Sequence, residues 1–396
     1  MPAETAIPLR ALMPALANKT YFNFGGQGPL PSPSLAAISD SFASIQELGP
    51  FSDDVWPYVN RTVSGLRQRL AAWFGVAPER VAFTENVTTG CVLPLWGLPW
   101  QEGDELLVGD AEHYGVVAAL KELARRHRLR ITSLAVADLD GDSGATAAAV
   151  GERLEAALTP RTRLVVLSHL LWNTGQTMPI AAVAARLAGH PRHPWLLVDA
   201  AQSLGSLPVA EAAAAADIYA CTGHKWCCGP EGLGAVALSE RLLADSSPTL
   251  IGWRTLEHDG PGAGGYHRDA RRFEVATSCT PLFAGLDSSL QLLEAEGDAG
   301  ARLEVIRQRS HQLWEGLQRI GGVRTLLTVP PPAGLVSFTL AGGSGEPLDP
   351  ATVVKRLGER GTWLRTLESP RCVRACTHLV STAEEVEILL VQLAEG

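Results

Sequence analysis

The sequence lacks several features that define whole classes of protein. Its acidic residues outnumber its basic ones by 42 to 33, which gives a formal net charge of −9. Phosphate backbones attract clustered lysine and arginine, so we expect no nucleic-acid partner. No apolar run reaches the ~18 residues that a membrane helix needs. Met1–Arg10 shows no basic stretch followed by an apolar one, so we also expect neither membrane association nor a signal peptide.

Cysteine is scarce, with seven in 396 residues. An odd number in so long a chain argues against a disulfide scaffold and favours a reducing, cytoplasmic location. Cys221, His224, Cys227 and Cys228 lie within eight residues. That spacing leaves a metal site open as one interpretation at this point.

What the sequence does contain is a regular alternation of short apolar runs and helical patterns, from about residue 80 to about residue 240. The predicted strands are Arg80–Thr84, Glu105–Gly109, Arg130–Ala135, Arg163–Ser168, Trp195–Asp199, Ile218–Thr222 and Leu233–Leu238. The predicted helices between them include Val116–Arg126, Thr146–Leu158 and Ile180–Ala188. This alternation predicts an α/β fold with a mostly parallel, seven-stranded sheet.

The pattern changes after about residue 283. The predicted elements there are a long helix (Leu286–Arg319), a strand (Gly334–Leu340), a helix (Pro350–Arg360), two short strands near Trp363–Arg365 and Cys372–Cys376, and a last helix (Thr382–Leu393). They predict a smaller C-terminal α+β domain. We therefore divide the chain into residues 1–20, packing with the small domain, a large domain of residues 21–285 and a small domain of residues 286–396.

Polar residues follow several of the predicted strands at the points where they end. In chain order they are Thr88 and Thr89, His113, His169 and Asn173, Asp199 and Gln202, and Thr222, His224 and Lys225. In open α/β sheets, ligands bind at the carboxyl ends of the strands. Taken singly, such residues are more often helix caps, loop lysines or core histidines, so the ordered set carries the interpretation.

These residue types suit the parts of a pyridoxal 5'-phosphate (PLP) site. A buried carboxylate such as Asp199 can pair with the pyridinium nitrogen, so that the ring accepts electrons from a carbanion. A lysine such as Lys225 can form the Schiff base if its neighbours lower its pKa. Hydroxyls at a helix start, here Thr88 and Thr89, suit a phosphate. An imidazole such as His113 can stack on the pyridine ring.

The sequence also resembles a known family along nearly its whole length. Asp199-Ala-Ala-Gln202 followed by Thr222-Gly-His-Lys225 is similar to fold-type I PLP enzymes, in the group of class V aminotransferases and cysteine desulfurases. Within that group the likeness is to cyanobacterial enzymes that cleave the carbon–sulfur bonds of cysteine and cystine. The other matching stretches are Tyr21–Gly28, Asn86–Cys91, Leu167–Gln176, Arg272–Ser278 and Gly334–Thr339.

The resemblance implies a role for each matching position. Lys225, Asp199 and His113 would be the catalytic set: the cofactor anchor, the partner of the ring nitrogen and the stacking ring. The further cofactor-binding residues would be Thr88, Thr89, Thr222 and His224 at the phosphate, and Asn173 and Gln202 beside the ring hydroxyl or the substrate. The substrate-binding residues would be Arg365 and Arg374, at carboxylates, with Asn173, Gly25 and Gly26. Thr277 would reach the partner's phosphate across a homodimer interface.

Two reactions on this cofactor compete. A cysteine desulfurase needs a mobile-loop cysteine in an Arg-x-Gly-x-His-Cys pattern, but the region Leu364–Cys376 has no His-Cys pair and Cys372 falls in a predicted strand. We therefore predict β-elimination on L-cystine, and less well on L-cysteine. The products would be cysteine persulfide or sulfide, with pyruvate and ammonia, and an iron–sulfur acceptor protein is a candidate recipient of the sulfur.

Other readings stay open. Cysteine desulfuration is the main alternative, and transamination or epimerisation on the same fold is another. A non-catalytic cofactor-binding or sulfur-carrier protein is a different class, and the presence of Lys225, Asp199 and His113 together argues against it. His224 flanks the predicted cofactor lysine, so we expect no metal at the cysteine cluster and interpret Cys221, Cys227 and Cys228 as small buried residues.

Overall fold

Two main β-sheets and one two-stranded sheet organise the chain. We describe it from a computed structural model covering residues 8–258, 264–343 and 345–395. The strands are β1 (Thr20–Tyr21), β2 (Val81–Thr84), β3 (Glu105–Gly109), β4 (Arg130–Leu134), β5 (Thr162–Ser168), β6 (Trp195–Asp199), β7 (Ile218–Thr222), β8 (Gly234–Leu238), β9 (Val323–Thr325), β10 (Leu335–Leu340), β11 (Thr362–Trp363), β12 (Arg365–Glu368) and β13 (Arg371–Cys376). The helices are α1 (Ser32–Leu48), α2 (Val55–Phe74), α3 (Val87–Trp96), α4 (Tyr114–His127), α5 (Ser143–Ala157), α6 (Ile180–Ala188), α7 (Ala210–Ala215), α8 (Glu240–Asp245), α9 (Thr280–Ala295), α10 (Ala299–Leu317), α11 (Pro350–Glu359) and α12 (Ala383–Ala394).

The larger sheet has seven strands in the order β2-β8-β7-β6-β5-β3-β4. Only β8 runs antiparallel to its neighbours β2 and β7, and the other described pairings are parallel. This confirms the predicted sheet, and all seven predicted strands end within one residue of the observed ones. Side chains of β5 alternate between two cores, with Leu164 and Val166 in one and Val165 and Leu167 in the other. Both faces are therefore covered, as the continuous apolar runs require.

The smaller sheet is antiparallel, with the order β12-β13-β10-β9. Val336 and Phe338 of this sheet pack with Leu313, Leu357 and Leu389 of three helices in a separate core. The predicted α+β architecture of the C-terminal part is confirmed, although three strands replace the two short ones expected near its end.

The long helix predicted over Leu286–Arg319 is wrong. The chain forms two helices, α9 and α10, because Gly297 adopts a φ of +116° and Asp298 caps α10 by accepting from the Ala301 N–H at 2.8 Å. The predicted domain boundary at 285/286 falls inside α9, and the division of the chain into three parts stays a prediction. Residues 1–7 of its N-terminal segment lie outside the described residues.

The described part of that segment does contact the C-terminal helix. The Arg10 guanidinium donates to the Glu385 carboxylate at 2.9 and 3.0 Å and to the Val380 carbonyl at 3.0 Å. β1 follows directly and pairs in parallel with β11. Within the described ranges, no helix combines the length and the apolar character needed to cross a membrane.

Candidate active site

A small enclosed cavity lies at the carboxyl ends of β5 and β6. Its lining residues come from at least four elements and their following loops, and they are Val87, Thr88, His113, Ser168, Leu170, Trp172, Asp199, Ala201, Gln202 and Lys225. Five of them, Thr88, His113, Asp199, Gln202 and Lys225, are predicted site residues. Parallel strands bring these ends together although the residues are up to 137 positions apart in the chain.

Lys225 stands in the tight loop after β7. The loop from Asn23 to Gly28 packs directly on it, since the Gly28 N–H donates to the His224 carbonyl at 2.7 Å. A Cβ atom at Gly28 would overlap the Lys225 carbonyl oxygen, so only glycine fits there. Burial lowers the pKa of the Lys225 ammonium to about 8, helped by Arg374 and Arg365 and opposed by Asp199. A neutral amine, the form that attacks a carbonyl, is therefore accessible near neutral pH.

Asp199 ends β6 and is 5% exposed. One carboxylate oxygen accepts from the Ala201 N–H at 2.9 Å. Among the described residues that is its one side-chain hydrogen bond, and the group lines the cavity. A buried carboxylate with an oxygen to spare fits the protonated nitrogen of a pyridine ring.

His113 caps the start of α4, where its Nδ1 accepts from the Gly115 N–H at 3.2 Å. Its ring lies 4.1 Å from the Tyr114 ring and 5.4 Å from the Trp172 ring, centroid to centroid. Burial lowers the pKa of the imidazole, with Lys225 acting in the same direction and Asp199 opposing it. The ring is thus held in place, and its lowered pKa favours the neutral imidazole.

The first turn of α3 forms the other end of the site. Asn86 caps this helix by accepting from the Thr89 N–H at 3.0 Å and the Thr89 hydroxyl at 3.2 Å. Thr88 lines the cavity, whereas Thr89 does not. At the end of β7, the Thr222 hydroxyl and the His224 Nδ1 lie 2.7 Å apart. α3 packs over β7, so these donors lie at neighbouring ends and their chemistry fits a phosphate.

Thr277 lies outside this cavity. It is exposed and lines a separate groove of about 410 Å³, together with Thr89 and Gly232. Within one chain it makes no contribution to the cavity at Lys225, and its predicted role across an interface stays a prediction.

Arg365 and Arg374 are directly opposite each other on β12 and β13. Like charges at such positions destabilise a sheet, so an anion between them is the simplest reason for the pair. Arg374 is 2% exposed, and its Nη1 donates to the Trp172 carbonyl at 2.8 Å, beside the cavity. Its buried Nε has no acceptor among the described residues. Arg365 is exposed.

Four further predicted site residues hold loops in place around the cavity, namely Gln202, Asn173, Gly25 and Gly26. The Gln202 amide donates to the Gly25 carbonyl and accepts from the Trp226 indole, at 2.9 and 2.8 Å. A Cβ at Gly25 would lie 2.8 Å from the Gln202 Oε1 and 3.2 Å from the Arg374 Nη2.

Asn173 accepts from the Thr174 N–H at 2.9 Å, and its own carbonyl accepts from Ser337 at 2.5 Å. It does not line the cavity. At Gly26, an added Cβ would lie 2.6 Å from the Asn23 Oδ1.

Sequence reasoning missed Glu112, Ser168 and Trp172. Glu112 is buried and accepts from both the backbone N–H and the hydroxyl of Ser168, each at 2.7 Å. Burial raises the pKa of this carboxyl to about 8. The sequence signal for Glu112 was its position after a strand end and directly before His113.

The cysteines are buried or peripheral. Cys221, Cys227 and Cys228 are all buried, as expected. Across the described ranges, no three His, Cys, Asp or Glu side chains lie where they could hold a metal ion. Cys372 is fully buried in β13, and burial raises the pKa of its thiol to about 11.

The fold and the cavity together define an α/β enzyme of fold-type I, the PLP-dependent transferase-like fold. The chain belongs to the aminotransferase class-V family, which matches residues 55–389. It is similar to isopenicillin N epimerase from Streptomyces clavuligerus, with 29% identity over 93% of this chain and 92% of that protein. It is 25% identical to a probable cysteine desulfurase from Methanothermobacter thermautotrophicus, over 98% of this chain and 97% of that protein.

Among solved structures, the chain resembles the cystine C–S lyase C-DES in complex with its reaction product, cysteine persulfide. The identity is 44% and the TM-score 0.91, over 97% of this chain and 99% of that chain. A C-DES mutant with glycine covalently linked to its PLP cofactor gives 43% and 0.92, over 98% and 100% of the two chains.

Proposed function

We propose that this enzyme is a PLP-dependent carbon–sulfur lyase that acts on L-cystine and, less well, on L-cysteine. The observation that carries the proposal is the position of Cys372. It lies in a strand rather than a mobile loop, is fully buried, and has a thiol whose pKa is raised to about 11. A desulfurase nucleophile needs the opposite, an accessible thiol with a low pKa. The likeness to C-DES, a cystine C–S lyase, supports the same choice.

The proposed cofactor set keeps the roles expected from the sequence. Lys225 holds PLP, Asp199 pairs with the ring nitrogen and His113 covers a ring face, which their common cavity supports. Thr88, Thr89, Thr222 and His224 hold the phosphate. Gln202 and Asn173 act at the ring hydroxyl side or the substrate, although their amides are largely engaged by the protein.

When bound, PLP supplies an electron sink for the charge left on Cα. Lys225 removes the Cα proton, since its low pKa makes the neutral amine available. The Cβ–S bond breaks, and the sulfur leaves with the bonding electron pair. Cystine and one water give pyruvate, ammonia and cysteine persulfide. A persulfide leaves more readily than a thiolate, which is why cystine should exceed cysteine.

The arginine pair places the substrate. Arg374, beside the cavity, binds the α-carboxylate through its planar fork, and Arg365 meets the second carboxylate that cystine carries. Gly25 and Gly26 leave room for the substrate next to Arg374, because a Cβ at Gly25 would approach its guanidinium.

The proposal includes a homodimer. α1 exposes Leu35, Phe42 and Leu48, and exposed apolar groups of this size are typical of an interface. Thr277, exposed in a groove that also contains Thr89, would then serve the partner's phosphate site. We also propose a cytoplasmic location, supported by seven unpaired cysteines, and sulfur delivery to an iron–sulfur acceptor protein.

The products decide between the reactions. Purified holoenzyme given cystine should release pyruvate and ammonia in equal amounts, with a persulfide detectable by cyanolysis. Alanine from cysteine, with a persulfide left on the enzyme, would establish a desulfurase instead. Racemised cystine without pyruvate would indicate epimerisation.

A further inference from the structure

Glu112 is a buried titratable residue next to two residues of the cavity wall, His113 and Ser168, and the proposed reaction does not use it. It follows β3 by three residues and directly precedes His113. One of its oxygens accepts from the Ser168 N–H and the other lies beside the Ser168 hydroxyl oxygen, each at 2.7 Å. Both residues are more than nine-tenths buried, so neither is solvated.

Ser168 connects Glu112 to the cavity. It is the last residue of β5, is paired in register with Asp199 of β6, and lines the cavity. Its hydroxyl lies 2.7 Å from the Glu112 carboxyl, and the residue itself borders the cavity. A change in the hydrogen bond between Glu112 and the Ser168 hydroxyl would therefore change the hydrogen-bonding groups that the cavity wall presents.

The direction of this hydrogen bond depends on one proton. If Glu112 is a carboxylate, it can only accept, so the Ser168 hydroxyl points its proton backwards and presents lone pairs to the cavity. If Glu112 is a neutral acid, it can donate to the Ser168 oxygen, and the serine proton turns forwards. The two states give the cavity wall opposite hydrogen-bonding character.

The surroundings favour the neutral acid. The charged neighbours that act on Glu112 are Asp199 on β6 and Asp110 on its own loop, and both are acidic. From α3 it faces the Cys91 thiol, whose own pKa is raised by burial. Burial and the two nearby carboxyl groups outweigh the hydrogen bonds with Ser168, which act in the opposite direction, and together they raise the pKa of Glu112 to about 8.

We propose that Glu112 is a positioning residue: as a neutral carboxylic acid it donates a hydrogen bond to the Ser168 hydroxyl and thereby makes that hydroxyl a donor toward the cavity. The inference concerns the resting holoenzyme and does not depend on which reaction follows.

Infrared spectroscopy of the holoenzyme tests the proton directly. We expect the carbonyl stretch of a protonated carboxylic acid at pH 6.5, sensitive to exchange into D₂O, fading as the pH rises through about 8 and absent from Glu112→Gln. Wild-type holoenzyme without such a band at pH 6.5 would overturn the proposal, and so would a band that survives in Glu112→Gln. The wild-type titration needs no variant, so a poorly folded mutant does not weaken the test.

The visible absorbance of the bound cofactor tests the positioning. Glu112→Gln can donate through its amide, so its spectral pH midpoint should stay within about 0.3 unit of wild type, whereas Glu112→Ala and Ser168→Ala should move it. If Glu112 were ionised, Glu112→Gln would remove a charge beside Asp199 and shift the midpoint by about one unit or more. That shift, or an unchanged spectrum in both alanine variants, would contradict the proposal.

Glu105 offers a matched control. It is an equally buried glutamate at the start of β3, the strand that leads to Glu112, and it is hydrogen-bonded to the Thr162 hydroxyl at 2.9 Å. It stands at the opposite end of β3 from the cavity. Glu105→Gln should leave the cofactor spectrum unchanged at every pH. A spectral change equal to that of Glu112→Ala would show that loss of any buried carboxyl suffices, and would overturn the assignment.

Discussion

The two sides of the cavity are built on different principles. On the side of the seven-stranded sheet, the polar groups are single residues at strand ends, such as Asp199 and Ser168, which neighbouring parallel strands bring together. On the side of the four-stranded sheet, Arg365 and Arg374 face each other across two antiparallel strands. The first side can bind a rigid aromatic cofactor, and the second presents paired positive charges that suit a doubly charged substrate. Mutations on the two sides should therefore separate cofactor effects from substrate effects.

The largest effect should come from the cofactor side. Lys225→Ala should lower kcat/KM by at least about 10³-fold, since it removes both the covalent anchor and the general base. The visible absorbance of the lysine-bound cofactor should disappear with it. Lys121→Ala, at an exposed position on α4, is the control and should change neither quantity. A coloured and active Lys225→Ala enzyme would show that Lys225 is neither the covalent anchor nor the general base.

The substrate side should respond in KM rather than in colour. Arg374→Lys keeps the positive charge but loses the planar guanidinium that can bind a carboxylate through two hydrogen bonds. One charge-assisted hydrogen bond is worth about 1.5–3 kcal/mol, so KM should rise about 10- to 100-fold. Arg365→Lys should raise it by less than about fivefold, because that side chain is exposed. Steady-state kinetics with cystine measures both. Equal increases in KM for the two variants would show that the difference in burial between Arg374 and Arg365 does not affect how strongly each binds the substrate.

The two sides are also coupled electrostatically, and a smaller effect measures this coupling. Lys225 attacks the cofactor only when neutral, so the rate at which apoenzyme gains visible absorbance with PLP should rise with pH, with a midpoint near pH 8. Arg374 helps to lower the pKa of Lys225, so Arg374→Gln should move that midpoint upwards. A downward shift would contradict the coupling. Arg69→Gln, at a residue in an ion pair with Asp287 that does not line the cavity, is a suitable control.

The same contrast explains what the sequence could predict. Strand ends on the large-sheet side are visible because an apolar run stops at a polar residue, so Asp199 and Lys225 could be found in order along the chain. The break between α9 and α10 was missed because helical periodicity continues through Glu296–Asp298, and the positive φ of Gly297 and the Asp298 cap interrupt it. Glu112 was missed because nothing in a sequence says that a glutamate is buried against a serine 56 residues away. Register across β12 and β13 is equally invisible, so the opposition of the two arginines came from the structure.

The smallest effect should come from Cys372. This thiol is buried in β13 and its pKa is raised, so Cys372→Ala should change kcat/KM with cystine by less than about twofold. The substitution should lower the free energy of unfolding by about 1 kcal/mol, because it leaves a small cavity. Denaturant titration measures the second quantity. Cys279→Ala, which removes an exposed cysteine, should change neither. An inactive Cys372→Ala enzyme of normal stability would mean that β13 opens to release its thiol, and the substrate side would then supply a nucleophile as well as positive charge.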